Sequence, residues 1–196
     1  MIGTVPGSVR ERLIDAANEL FYAYGLRAVS VDKVIERAGT TKVTFYRHFH
    51  SKDELVVAYL EGRAAAERDG MGAAIAHADG DVDEALRLIA DHTGTAACTA
   101  GFRGCPFINA AAEYPDPETA VRKTVDAHRA WCKGAYEQLV APLDLPDPAA
   151  VADDLMLLRD GVMVAGYLGD PTTVGASFLR SCRAVIRGGA HADALR

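Results

Sequence analysis

Apolar positions recur along the chain at helical intervals, separated by residues that favour helix starts and stops. Leu13, Ala16, Ala17, Leu20, Phe21 and Tyr24 keep a three- and four-residue rhythm, the signature of one helix face turned inward. Ser8-Val9-Arg10-Glu11 precedes them as a capping box, in which the serine hydroxyl takes a free backbone N–H and the glutamate reaches back. Gly25 is a natural stop. Ser30 caps a predicted second helix that buries Val34, Ile35 and Ala38 and closes at Gly39. Thr41 caps a third, Lys42–Phe49, whose apolar anchors are Val43, Phe45 and Phe49. Ser51-Lys52-Asp53-Glu54 repeats the capping box and opens a long fourth helix running toward Ala76, with Leu55, Val56, Tyr59 and Leu60 on one face.

Later starts read in the same way. Asp81 can cap a helix that turns Ala85, Leu86 and Ile89 inward, and Pro106 permits a first turn before Phe107, Ile108, Ala111 and Ala112. Asp116-Pro117, Asp147-Pro148 and Asp170-Pro171 repeat one device, an Asp cap with Pro at the first helical position, which has no N–H to lose there. The first of these predicts a helix over Pro117–Val140. The last two helices carry stripes at Val151, Leu155, Leu158, Val162 and Ala165, then Val174, Phe178, Cys182, Val185 and Ile186. No segment alternates with the period of two that a sheet requires. The expected fold class is all-α.

Composition adds limits. The 196 residues are 49% hydrophobic and 24% charged, which excludes disordered and collagen-like chains. Cysteines 98, 105, 132 and 182 are too few for a disulfide scaffold of this size. The longest stretch without Asp, Glu, Lys or Arg, His92–Phe102, falls far short of the roughly 18 apolar residues of a membrane span. Met1–Ser8 holds no Lys or Arg and leads into no apolar run, so no secretory signal is expected and the location expected is cytoplasmic. The net charge of −6 is unevenly spread: residues 1–52 hold eight basic and five acidic residues, the remainder 13 and 22. A basic end on an acidic body points to a local anion-binding surface, although an unevenly charged solvated surface would read the same.

Two short helices joined by a tight turn with glycine form a helix-turn-helix, here Val31–Ala38, Gly39-Thr40-Thr41 and Lys42–Phe49. The second helix offers Lys42, Thr44, Arg47 and His48 to phosphates or base edges, and its N-terminal end, with Thr41, Lys42 and Thr44, suits the major groove. Lys52 adds charge for a phosphate contact. A packed helical hairpin with solvated cations is the plainer alternative.

Residues 8–60 resemble the TetR family of bacterial transcriptional regulators. The likeness is carried by Ile14-Asp15-Ala16-Ala17, Leu20-Phe21, Tyr24-Gly25, Ser30-Val31, Ala38-Gly39, and above all Thr44-Phe45-Tyr46-Arg47-His48-Phe49 with Ser51-Lys52-Asp53-Glu54-Leu55. It implies a three-helix, homeodomain-like DNA-binding domain over residues 1–52 and a helical effector-binding and dimerisation domain over 53–196. It further implies a homodimer on an inverted-repeat operator of double-stranded DNA, usually a repressor released by a small molecule. Carried over residue by residue, Ser30 resembles a phosphate-contacting cap, and Thr41, Lys42 and Thr44 resemble base- or phosphate-facing positions. Tyr46 resembles a backbone-contacting tyrosine, while Arg47, His48 and Lys52 suit further phosphate contacts. Val43 stands where many relatives carry a small residue. Gly104–Glu113 and His128-Arg129-Ala130-Trp131 resemble a subgroup pattern that names no ligand.

In the second domain Phe102, Phe107, Tyr114, His128, Trp131 and Arg159 are the candidates for an effector pocket, with a core role as the alternative for each. Leu155, Leu158, Val162, Phe178, Cys182 and Val185 are the dimer candidates. His92, Cys98, Cys105 and His128 lack the spacing of a zinc site, so no metal and no cofactor is expected. Gly101 and Gly104 could let Cys98 and Cys105 meet as a redox pair. No phosphate loop, nucleophile elbow or His-Glu-x-x-His occurs, so an enzyme is not expected. The remaining alternatives are a helical small-molecule binder or enzyme with a silent head, and a thiol-sensing regulator.

Overall fold

The computed structural model describes residues 7–190, all helix and connecting turns. Residues 1–6, on which most of the expectation of no secretory signal rests, lie outside the described residues. The elements in chain order are α1 (Val9–Tyr24), α2 (Val31–Ala38), α3 (Lys42–His48), α4 (Lys52–His77) and α5 (Val82–Ala97), followed by α6 (Pro106–Glu113), α7 (Ala120–Val140), α8 (Pro148–Leu168) and α9 (Val174–Ala190). They divide into two compact units, one of residues up to Ala64 with Pro106–Asp126, the other of Ala65–Cys105 with the chain from Ala127 on.

In the first unit the capping signals operate as chemistry requires. Ser8 and Glu11 form the full box, and Ser30 and Thr41 each accept a backbone N–H at the start of their helices. Gly39 adopts the left-handed conformation at φ 61° that a Cβ would resist. The helices close over Leu13, Ala17, Phe21, Val34, Phe45, Phe49, Leu55, Val56 and Tyr59, all buried. Phe21 and Tyr59 meet edge-to-face at 5.8 Å. Removing the Leu, Val and Phe side chains from water, at about 1.5–3 kcal/mol each, is what fixes α2 and α3, at 8 and 7 residues too short to persist alone. α6 adds a clasp. The Glu113 carboxylate accepts the backbone N–H groups of Leu26 at 2.8 Å and Arg27 at 2.6 Å, holding the loop between α1 and α2.

The second unit packs α5, α8 and α9 around Leu86, Ala90, Tyr136, Leu139, Leu155, Phe178 and Cys182. α5 and α9 approach through glycine: a Cβ on Gly175 would lie 2.9 Å from the Ala90 carbonyl oxygen and 3.3 Å from Gly94 Cα.

Four local expectations change. Asp116-Pro117 does not start a helix; Asp116 accepts the Glu118 N–H in a turn, and α7 begins at Ala120 with Thr119 accepting from Arg122. Asp170-Pro171 opens a 3-10 turn, Pro171–Thr173, that runs into α9. Glu54 reaches the His50 backbone N–H at 2.7 Å rather than that of Ser51, which leaves the second capping box half formed. Val43 is 69% exposed and cannot anchor α3, a task left to Phe45 and Phe49. No helix among the described residues is long and apolar enough to cross a membrane.

Candidate nucleic-acid interface

The first unit presents a surface whose geometry follows from its buried residues. With Phe45 and Phe49 inward, the helical period places Lys42, Val43, Tyr46 and Arg47 outward, and all four are exposed. Thr41 Oγ1 accepts the Thr44 N–H at 3.2 Å and lies 2.9 Å from Thr44 Oγ1, so the two hydroxyls form a linked pair at the start of α3. Lys42 Nζ sits 3.5 Å from Asp32 Oδ1, an exposed and weak pair that leaves the ammonium able to change partner. The Ser30 hydroxyl accepts from Lys33 N at 3.3 Å and keeps its own proton to donate. His48 is exposed beside Arg47.

Lys52 is the most constrained cation of the set. Its Nζ donates to the Arg27 carbonyl at 3.4 Å and lies 6.0 Å from the Phe21 ring centroid. Burial lowers its pKa, while the Glu113 and Asp53 carboxylates act in the opposite direction. An ammonium has three donors, so a held lysine still presents a fixed charge. The eight DNA-facing candidates thus share one unit, and exposed Val43 joins them as a group able to meet a thymine methyl.

The effector candidates divide between the units. Phe107 is buried in the first, and the Tyr114 hydroxyl there donates to Asp53 Oδ1 at 2.8 Å, at the start of α4. The other four belong to the second unit. His128 and Trp131 stack at 5.7 Å and the Arg68 guanidinium lies over the indole at 5.8 Å, while Phe102 packs against the core. An open groove of about 510 Å3 between α5 and α9, lined by Asp91, Gly94, Thr95 and Gly175 among others, contains none of the six.

Buried chemistry in the second unit centres instead on Glu67. Arg159 Nη2 contacts Glu67 Oε1 at 2.6 Å, His128 Nε2 lies 3.1 Å from Oε2, and Cys132 Sγ is 3.4 Å from the same imidazole nitrogen. Burial pushes the Glu67 carboxyl up, but the His128 hydrogen bond and the Arg159 charge outweigh it and hold the group at about 2. Burial, with the Glu67 charge nearby, pushes the Cys132 thiol up to about 12. Nothing in the spacing of acidic residues marks Glu67, which lies 61 positions before His128. The His128-x-x-x-Cys132 interval, one helical turn, is the readable signal for this cluster.

The dimer candidates lie in and around one core: Leu155, Val162, Phe178 and Cys182 are buried in the second unit, with the partly buried Leu158 and Val185 packed against them. The solvent side of α8 carries Leu157, Val164 and Leu168, 69%, 47% and 75% exposed. Cys98 is exposed and Cys105 buried, and both are free thiols.

A basic, outward-facing second helix of a helix-turn-helix in an all-helical chain defines the class of DNA-binding regulators. A family profile described as "Bacterial regulatory proteins, tetR family" matches residues 13–59. The TetR-family transcriptional regulator SCO4454 from Streptomyces coelicolor is 38% identical, superposes with a TM-score of 0.85, and is covered over 96% of its chain and 93% of this one. The chain belongs to the TetR family of transcriptional regulators. The HTH-type transcriptional regulator SrpR of Pseudomonas putida is 41% identical over 54 residues, a match spanning 28% of this chain and only 25% of that protein. The TetR family regulator CifR, in a cysteine-mutant complex with 26bp double-strand operator DNA, shares the fold at TM-score 0.77 and 20% identity, over 93% of this chain and 99% of that one.

Proposed function

We propose that the protein is a homodimeric, cytoplasmic regulator that binds an inverted-repeat operator through α3 and is released by a small molecule held in its second unit. The observation that carries this reading is the division of labour on α3. Phe45 and Phe49 are buried while Lys42, Val43, Tyr46 and Arg47 are exposed, and half-buried Thr44 is linked to Thr41 at the helix start. Side chains held only by exposed, exchangeable contacts at the surface can turn to an outside partner. Ser30 and Lys52 flank them at helix starts, where phosphate contacts fix register.

The exposed apolar stripe Leu157, Val164 and Leu168 supports a two-fold contact through the outer face of α8, since surfaces of this kind mark interaction sites. Trp131, stacked on His128, supports an effector region in the second unit. A ligand there acts on DNA only through unequal affinity for two arrangements of the heads, and the coupling must be reciprocal. The test is fluorescence anisotropy with intergenic DNA bordering the gene. Wild-type protein should bind it well above random DNA, and an apolar or aromatic effector should quench Trp131 while weakening that binding. Equal affinity for every sequence would defeat the reading.

One contact favours a second reading, thiol sensing: Arg159 Nη1 donates to Cys105 Sγ at 3.5 Å. Peroxide would then weaken DNA binding by the wild type but not by Cys105→Ser.

A further inference from the structure

The cluster around Glu67 has a geometry that DNA binding does not use. Glu67 comes from α4, and His128 and Cys132 come from one face of α7. Their donor atoms lie 3.1 Å (His128 Nε2 to Glu67 Oε2), 3.4 Å (Cys132 Sγ to His128 Nε2) and 3.9 Å (Cys132 Sγ to Glu67 Oε1) apart. One oxygen, one nitrogen and one sulfur all fall within 4.8 Å of one another. Four-coordinate zinc binds oxygen and nitrogen at about 2.0–2.2 Å and sulfur at about 2.3 Å, so neighbouring corners of such a tetrahedron are roughly 3.3–3.7 Å apart. The nitrogen stands near that spacing from both Glu67 Oε2 and Cys132 Sγ, while the sulfur must draw in by a few tenths of an ångström, its 3.9 Å contact being to Oε1, the oxygen that Arg159 holds.

The surroundings suit an ion. His128 and Cys132 are each 2% exposed, so the donors are held by packing and lose little freedom on binding. Arg159 donates to Glu67 Oε1 through Nη2 at 2.6 Å and Nε at 3.2 Å, an outer-shell contact that orients the carboxylate. The Glu67 side chain is 33% exposed, which provides an entry path. Thiolate and imidazole together select a borderline transition ion over magnesium or calcium.

We propose that Glu67, His128 and Cys132 form a three-ligand site for a divalent ion of the zinc class, its fourth corner left to water or an incoming donor. Loading replaces the Glu67–His128 hydrogen bond with two metal–ligand bonds. The Cys132 S–H proton leaves to solvent as the Sγ–metal bond forms; the Nε2 proton that His128 donates to Glu67 leaves as well, and a proton carried on Nδ1 keeps the coordinating imidazole neutral.

Cobalt(II) is the probe, added to metal-stripped full-length protein. One equivalent per chain should give a thiolate-to-cobalt charge-transfer band and the intense visible bands of a four-coordinate ion, both abolished by stoichiometric zinc. Cys98→Ser and Cys105→Ser should keep the band. Cys132→Ser should lose it and weaken zinc binding by more than the roughly 10–100-fold that removal of an outer-shell partner costs. X-ray absorption at the zinc edge of the wild type needs no variant and should find one sulfur at about 2.3 Å with nitrogen or oxygen scatterers near 2.0 Å. A zinc environment with no sulfur, a cobalt band that survives Cys132→Ser, or no binding at all would overturn the site.

Discussion

Glu67→Gln keeps the shape of the buried cluster and removes its one negative charge facing Arg159, so it isolates what that charge does for stability. Arg159 is buried, with a side chain 6% exposed. Its remaining carboxylate neighbour, Asp160 Oδ1, lies at 3.3 Å and is shared with Arg129. Breaking one side of a buried pair costs about 3–5 kcal/mol. The carboxyl, lowered from 4.5 to about 2, independently corresponds to about 3 kcal/mol at 1.36 kcal/mol per unit. One third of the Glu67 side chain meets solvent, which screens the interaction, so the expected loss at pH 7 is about 2 kcal/mol. The pH dependence has a definite sign. The folded-state value lies below the unfolded one, so the stabilisation is complete above about pH 4.5 and disappears as pH falls through about 2. Urea melts of wild type and variant at pH 7, 4 and 3 should show the difference shrinking, to roughly two-fifths of its neutral value at pH 3. A variant within about 0.5 kcal/mol of wild type at pH 7, or a difference that does not shrink on acidification, would refute this account of the cluster.

Two further outcomes follow from placement. Leu157→Glu should yield folded monomers in sedimentation, because the residue is 69% exposed on α8, whereas Leu155→Glu, at 0% exposure, should unfold the body; a folded Leu155→Glu protein or an unchanged Leu157→Glu dimer would reverse the assignment. Glu113→Ala removes the acceptor for two backbone N–H groups and should destabilise the first unit by about 1–3 kcal/mol, seen as faster amide exchange at Leu26 and Arg27.

Much of this organisation is written in the order of residues. Caps at Ser8, Ser30, Thr41, Asp81 and Asp147 act within one turn of chain, so the sequence displays both partners of each bond. The same locality explains why α2 and α3 are legible almost to the residue. Asp116-Pro117 fails for a related reason: an Asp before Pro also suits a turn, and Thr119 competes as the cap. Which side of α8 faces inward is another matter. Leu155, Leu157, Leu158, Val162 and Val164 cover most of its circumference with apolar residues, so periodicity cannot separate a core stripe from a partner stripe. Glu67 and Glu113 are invisible in the sequence because their partners, His128, Arg159, Leu26 and Arg27, lie 61 to 92 positions away. Long-range pairing of a single carboxylate leaves no periodic trace.

The central claim, that α3 reads base sequence while its flanks only position it, is tested most directly by selecting bound sites from random duplex DNA. Wild type should recover a two-fold symmetric site with half-sites about one helical turn apart, ~34–36 Å or slightly more. Lys42→Ala or Thr44→Ala should shift the preferred base at one symmetric pair of positions, at a cost of about 1–3 kcal/mol for the original base. Lys52→Ala should leave the recovered sequence unchanged and reduce the salt slope by about 1 for each phosphate no longer neutralised. Recovery of the same sequence by all three variants, or of no symmetric site by wild type, would contradict the account.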